Sequence, residues 1–134
     1  MSENGTIQAH RAQAYRDFTF VIDADLDISS AFGNRAILNQ IDRNTPERAL
    51  EDIDRAIELT ADRPRSSYFE RRAAIRLSLA ERDKDEAMVY AALDDLKAAK
   101  SINPTRNVTA QLENWASEFL KSLHREKGYA VKKG

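Results

Sequence analysis

Apolar residues recur three and four positions apart along almost the whole chain, which is the spacing of one face of an α-helix. Only four Gly and three Pro occur, too few for the many tight turns of an all-β chain. We therefore predict an all-α fold of six helices. The predicted helices are Ile7–Asp25, Ser29–Ile41, Pro46–Thr60, Ser67–Ala80, Asp83–Ser101 and Thr105–Lys127.

Three pairs of residues have the spacing of a capping box, in which a polar side chain and an acidic one three residues later satisfy the helix N-terminus. They predict where the third, fourth and fifth helices begin, with Thr45 as an alternative cap and Pro46 in the first turn of the third. Asn103-Pro104 and Gly128 predict the ends of the fifth and sixth helices. The three pairs are Asn44–Glu47, Ser67–Glu70 and Asp83–Glu86.

The chain also repeats itself. In three stretches a small residue is followed four positions later by a large apolar residue, and seven positions later by a small or β-branched one. An aspartate holds the same relative place in each, and two of the stretches follow a helix with a similar match, Asn34-Arg35-Ala36 against Arg71-Arg72-Ala73. The three stretches are Ala14–Val21 with Asp17, Ala49–Ala56 with Asp52, and Ala92–Ala99 with Asp95.

At these positions, from about residue 10 to residue 104, the chain resembles the tetratricopeptide repeat family. That family's repeat is an antiparallel helix pair of about 34 residues with small residues at fixed offsets and a closing proline. Ala92, Leu96, Ala99 and Pro104 match its second helix and terminator. The step from the first stretch to the second is near the family period, whereas the next is longer and predicts an insertion at Glu81–Met88. The resemblance implies a helix-hairpin array that binds proteins; a generic helical bundle is the alternative.

In this interpretation the chain holds half a repeat, two full repeats and a sixth helix that covers the end of the array. The first helix then carries more apolar side chains than one neighbouring helix can bury, and we expect part of this surface to contact another chain, such as a second copy. The residues of this possible self-association surface are Tyr15, Phe18, Phe20, Val21 and Ile22.

Length, composition and charge narrow the class of protein. The 134 residues suit a single domain, which we place at residues 1–128 with a frayed tail at 129–134. The net charge of −1 disfavours a nucleic-acid binder. No apolar run is long enough to span a membrane, and we therefore expect a cytoplasmic protein. Residues 1–62 carry a net charge of −6 and residues 63–134 one of +5. This asymmetry suggests an oriented partner or head-to-tail contact between copies, with solvated helix faces as the alternative.

The chemistry-bearing residues do not form a recognisable catalytic, cofactor or metal motif. There is no Cys, the four Gly are isolated, and His10 and His124 lack ligands at the spacing of a zinc site. Asp23, Asp25 and Asp27 alternate like the start of a calcium loop, but Ile28 stands where that loop needs Gly. We expect no enzyme activity, no cofactor and no metal, although an unrecognised carboxylate site stays an alternative.

A basic cluster supplies the candidate partner-binding residues. Arginines seven and four residues apart share one helix face. One subclass of the tetratricopeptide family clamps a C-terminal carboxylate, and the resemblance places Asn34 at the clamp's Asn and Arg71 at its Arg, with Ser67 where the Lys belongs. We predict a module that binds a peptide or helix of a partner protein, with a homo-oligomerising scaffold as the alternative. The candidate residues are Asn34, Arg65, Arg71, Arg72 and Arg76.

Overall fold

The computed structural model describes residues 3–24 and 28–128, and for residues 3–6 it describes the backbone only. These residues form six α-helices and no strand, so the predicted all-α fold is confirmed. The helices are α1 (Glu3–Asp23), α2 (Ser29–Ile41), α3 (Pro46–Leu59), α4 (Ser66–Asp83), α5 (Glu86–Ile102) and α6 (Asn107–Glu126).

The chain divides into two compact units, Met1–Pro64 and Arg65–Gly134. The first unit contains α1 to α3 and the second contains α4 to α6. The single domain at residues 1–128 stays a prediction, and the tail predicted at 129–134 lies outside the described residues.

The first unit is built on a hairpin of α2 and α3, with α1 packed on α2. Residues 42–45 alone connect α2 to α3, so two helices in contact along their length must run antiparallel. Alanines let the two backbones approach closely, and Ile53 fills the space beside them. Ala36, Ala49, Ile53 and Ala56 are all fully buried.

The second unit is a hairpin of α4 and α5 on which α6 packs, touching both helices. Its core contains Ala73, Ala92 and Leu96, the counterparts of Ala36, Ala49 and Ile53 in the first unit. Four apolar residues of α6, spaced three and four apart, belong to this core or pack against it. They are Leu112, Trp115, Phe119 and Leu123.

The three predicted capping boxes are wrong, although the helices predicted from them exist and the alternative cap Thr45 is the N-cap of α3. Asn44 has a φ of 50°, a left-handed conformation, and the N-cap of α3 is Thr45, whose hydroxyl donates to the Asn39 carbonyl instead of capping. Ser67 lies inside α4, one residue after its start. The N-cap of α5 is Asp85, whose carboxylate accepts from the Met88 backbone N–H.

The predicted insertion lies where the sequence places it. In the first hairpin α2 and α3 have 13 and 14 residues, whereas α4 and α5 have 18 and 17. The extra residues extend the end of α4 and the start of α5 around Lys84, which has a φ of 55°. The second hairpin is therefore a longer version of the first.

Candidate partner-binding site

A buried aspartate holds the first hairpin together. The Arg35 guanidinium donates to Asp52 through Nε to Oδ2 at 2.8 Å and through Nη2 to Oδ1 at 2.7 Å. Asn39 Nδ2 donates to the same Oδ2 at 2.9 Å. Asp52 is only 4% exposed, and its hydrogen bonds raise the pKa of Arg35 above the ordinary value. A buried charge of this kind is tolerated because it is paired and hydrogen-bonded.

The second hairpin repeats this arrangement around Asp95. Arg72 donates from Nε and Nη2 to Oδ1 at 3.0 and 2.8 Å, and Arg76 Nη1 donates to Oδ2 at 2.7 Å. Asp95 is 3% exposed. Burial raises the pKa of Asp95 above its ordinary value, while Arg72 and Arg76 act in the opposite direction.

These two clusters occupy the same register. In each cluster one arginine directly precedes the buried alanine of the first helix. A second donor lies four residues after that arginine. The aspartate lies three residues after the first buried alanine of the second helix. The similarity predicted between the hairpins therefore extends to their buried polar contacts. We call them the Asp52 cluster (Arg35, Asn39 and Asp52) and the Asp95 cluster (Arg72, Arg76 and Asp95).

The five predicted partner-binding residues do not share one environment. Arg72 and Arg76 belong to the Asp95 cluster, so their guanidinium groups bind a carboxylate of the fold. Arg71 is half-buried, and burial lowers its pKa below the ordinary value. Arg65 is exposed, with its guanidinium 5.4 Å from the centre of the Tyr68 ring. Asn34 is exposed and lies in the other unit. The sequence shows Asp95 as a repeated position, but it does not show that Asp95 is buried and binds Arg72 and Arg76.

The first unit contains a cavity of about 500 Å³ between α1 and the C-terminal end of α2. This volume lies within the range of cavities that hold small ligands or short peptide side chains. We call this cavity the α1–α2 cleft. Its lining residues are Gln8, Arg11, Ala12, Tyr15, Leu38, Ile41, Asp42 and Arg43.

The α1–α2 cleft combines cationic and apolar groups. The Arg43 guanidinium carbon lies over the face of the Tyr15 ring, 3.6 Å from its centre, which is a cation–π contact. Arg11 Nη1 donates to Asp42 Oδ1 at 2.8 Å. Among the described residues no carboxylate forms an ion pair with Arg43, and Ile41 is 60% exposed. The cleft therefore offers a positioned guanidinium beside accessible aliphatic surface.

Sequence reasoning did not find this cleft because its residues come from two distant stretches. The sequence predicts Tyr15 as part of a self-association surface, and in the structure the Arg43 guanidinium lies over its ring. Only the packing of α1 on α2 brings the two together. The other four residues of that predicted surface are Phe20, which is 75% exposed, and the half-buried Phe18, Val21 and Ile22.

Two further carboxylates of the second unit have side-chain partners. Glu70, which is buried, accepts from Arg106 Nε at 2.8 Å and from the Thr109 hydroxyl at 2.6 Å. Glu86 bonds the His124 ring and lies 3.8 Å from Lys127 Nζ. The His124 hydrogen bond lowers the pKa of Glu86 below its ordinary value. Both carboxylates tie α6 to the α4–α5 hairpin.

The described part of the chain contains no group of three His, Cys, Asp or Glu side chains that could hold a metal ion. His10 is exposed on α1, and Asp23 lies exposed at its C-terminal end. The remaining residues of the considered calcium loop, Asp25 and Asp27, lie outside the described residues. None of the described helices has the length and apolar character that crossing a membrane requires.

No protein-family model, no curated protein and no solved structure matches the chain.

Proposed function

We propose that the chain is a protein-interaction module that binds a short segment of a partner protein in the α1–α2 cleft. The observation that carries this proposal is the Arg43 guanidinium, which lies on the Tyr15 ring. Among the described residues it has no carboxylate partner, and the exposed Ile41 lines the same cleft. An acidic group and an aliphatic side chain, adjacent in one peptide, would satisfy both features of the cleft.

The physical chemistry favours such a segment. A carboxylate accepts charge-assisted hydrogen bonds from a guanidinium, and stacking on Tyr15 holds Arg43 in place before binding, which reduces the entropy lost. Full burial of one aliphatic side chain against Leu38 and Ile41 would contribute roughly 1.5–3 kcal/mol of favourable transfer free energy to binding. The pair Arg11–Asp42 at the side of the cleft would orient the peptide backbone.

The proposal keeps the tetratricopeptide-like relationship and moves the binding site. The two hairpins with matching Asp52 and Asp95 clusters support a repeated helix pair. A groove site that includes Arg72 and Arg76 is less favoured, because Asp95 binds both. A cytoplasmic location stays a prediction.

A selection from a phage library of short random peptides, with the full chain as bait, tests the proposal. We expect enrichment of peptides with Asp or Glu next to Leu, Ile or Phe. Binding of an enriched peptide should weaken about tenfold in Arg43→Gln, the loss of one charge-assisted hydrogen bond. Arg48→Gln, which removes an exposed arginine of α3 outside the cleft, is the matched control. Equal binding by the two variants would contradict the proposal.

A homo-oligomerising scaffold is the second candidate, and Phe20 favours it. This side chain is 75% exposed on α1, and an exposed aromatic residue is typical of an interface. Light scattering over a dilution series should then give a dimer mass that Phe20→Ser converts to a monomer. A dimer that high salt dissociates instead would favour contact between the acidic and basic halves.

A further inference from the structure

One face of α1 lacks the cover that the same face of α3 and α5 has. In α3 and α5 the hairpin partner buries this face, and its residues are 0–4% exposed. Among the described helices α1 contacts α2 alone. The positions that match in register are Ala14, Asp17, Phe18 and Val21 in α1, Ala49, Asp52, Ile53 and Ala56 in α3, and Ala92, Asp95, Leu96 and Ala99 in α5.

The residues of this α1 face are correspondingly more accessible. Ala14, Phe18 and Val21 are half-buried, and Asp17 is exposed. Asp17 accepts one hydrogen bond, from Gln13 Nε2 at 2.8 Å, and no basic side chain of the described residues bonds it. By contrast, Asp52 and Asp95 each accept three hydrogen bonds from the first helix of their hairpin.

We propose that this face of α1 binds an amphipathic helix of a partner protein that carries an arginine directly before a small residue. The bound helix would run antiparallel to α1 and would take the place that α2 holds against α3 and α4 against α5. Its arginine would bind Asp17, and its small residue would lie against Ala14 and Phe18. This surface is separate from the α1–α2 cleft and does not depend on the function proposed there.

The repeat register specifies this occupant. In both hairpins an arginine that directly precedes an alanine binds the aspartate of the facing helix. Arg35 before Ala36 binds Asp52, and Arg72 before Ala73 binds Asp95. An acidic side chain at the centre of an apolar face favours a cationic partner over an apolar one, because a carboxylate buried without a partner is costly. A bidentate arginine supplies both charge and geometry. Ala14 leaves room for the close approach that a helix pair needs.

The chain itself supplies the probe for a test. A labelled synthetic peptide of residues 66–83, the α4 sequence, contains Arg72, Ala73 and Arg76 in the required pattern. We expect it to bind the full chain in fluorescence anisotropy, and to perturb amide NMR signals of Ala14, Asp17, Phe18 and Val21. Asp17→Asn should weaken binding about tenfold.

Matched controls separate the alternatives. Glu51→Gln removes an exposed carboxylate from α3 in the same unit and should leave binding unchanged. A peptide with Arg72→Gln and Arg76→Gln keeps its length and apolar face and should bind about tenfold more weakly. Arg43→Gln should have no effect, which distinguishes this surface from the α1–α2 cleft.

Three results would overturn the proposal. One is the absence of binding at millimolar peptide concentration. Another is NMR perturbation confined to α5, which would mean that the peptide replaces α4 in its own hairpin. The last is a stable dimer whose interface buries Ala14 and Phe18, because a second copy would then be the occupant.

Discussion

Arg35 in α2 and Asp52 in α3 form a two-bond ion pair, with Nε and Nη2 lying 2.8 and 2.7 Å from the two carboxylate oxygens. A buried ion pair adds little net stability compared with apolar residues of the same size, since both charges lose water. Its geometry, however, permits one alignment of the two helices. The pair therefore fixes how α2 and α3 are aligned, and Arg72 with Asp95 does the same for α4 and α5.

Removal of Asp52 should destabilise the first unit strongly. Asp52→Ala leaves the Arg35 and Asn39 donors without their acceptor, and breaking a buried pair in this way costs about 3–5 kcal/mol. Urea unfolding followed by circular dichroism measures the change in the free energy of unfolding. Glu51→Ala, at the exposed neighbouring position, should change it by less than about 0.5 kcal/mol. Similar values for the two variants would contradict the role of the Asp52 cluster.

Removal of one arginine should change the titration of Asp95. Burial raises the pKa of Asp95 and the two arginines oppose this, so Arg76→Gln should raise that pKa further. A folded-state pKa above the unfolded one means that protonation favours the folded chain. Stability therefore falls as the pH rises from the unfolded pKa through the folded one, and the fall should be larger in the variant.

Carboxyl NMR titration of Asp95 measures this shift directly. Lys97→Gln removes an exposed charge from the same helix and should leave the pKa of Asp95 nearly unchanged. An Asp95 pKa that is the same in Arg76→Gln and in the native chain would mean that Arg76 contributes no charge interaction.

The sequence predicted those parts of the fold that depend on local spacing. Helical periodicity located all six helices, and the repeated Ala36 and Ala73 found two hairpins whose small residues are fully buried. Local patterns found the starts of α2 and α3, and the alternative cap Thr45 is the N-cap of α3. The capping boxes failed: Asn44 adopts a left-handed conformation, and the N-caps of α4 and α5 are Arg65 and Asp85.

The candidate site was much less predictable. Arg43 and Tyr15 meet only through the packing of α1 on α2, and nothing in either local sequence indicates that contact. Arg72 and Arg76 did share a face as their spacing indicated, but that face lies against Asp95. Helical spacing predicts which side chains share a face, but it does not predict which residues of other helices that face contacts.

A glycine in the turn between α4 and α5 should stabilise the chain. Lys84 has a φ of 55°, which strains an L-residue with a side chain and suits glycine. Lys84→Gly should therefore stabilise the chain by about 0.5–1 kcal/mol, since its exposed ion pair with Glu126 contributes little. Thermal unfolding of the variant would show a raised midpoint. A lowered midpoint would mean that the contact with Glu126 outweighs the backbone strain.

Loss of the neighbouring cap should act in the opposite direction. The Asp85 carboxylate accepts from the Met88 N–H at 3.2 Å, and replacing such a cap by alanine costs about 1 kcal/mol. Asp85→Ala should lower the midpoint of thermal unfolding accordingly. Asp83→Ala removes an exposed carboxylate whose ion pair with Arg82 is also exposed, and should have a smaller effect.

Acid should weaken the attachment of α6 through Glu86. The His124 hydrogen bond lowers the pKa of Glu86, so the folded-state pKa lies below the unfolded one. A carboxylate of this kind contributes stability that is fully present above the unfolded pKa and is lost as the pH falls through the folded pKa.

In His124→Ala the pKa of Glu86 should return toward its ordinary value, and the variant should unfold at a lower temperature than the native chain at neutral pH. That difference should shrink as the pH falls below the folded-state pKa of Glu86, because the native chain then loses the same contact. Lys127→Gln should show the same trend more weakly, since Lys127 Nζ lies 3.8 Å from the carboxylate. A difference that stays constant across this pH range would mean that His124 acts by packing alone.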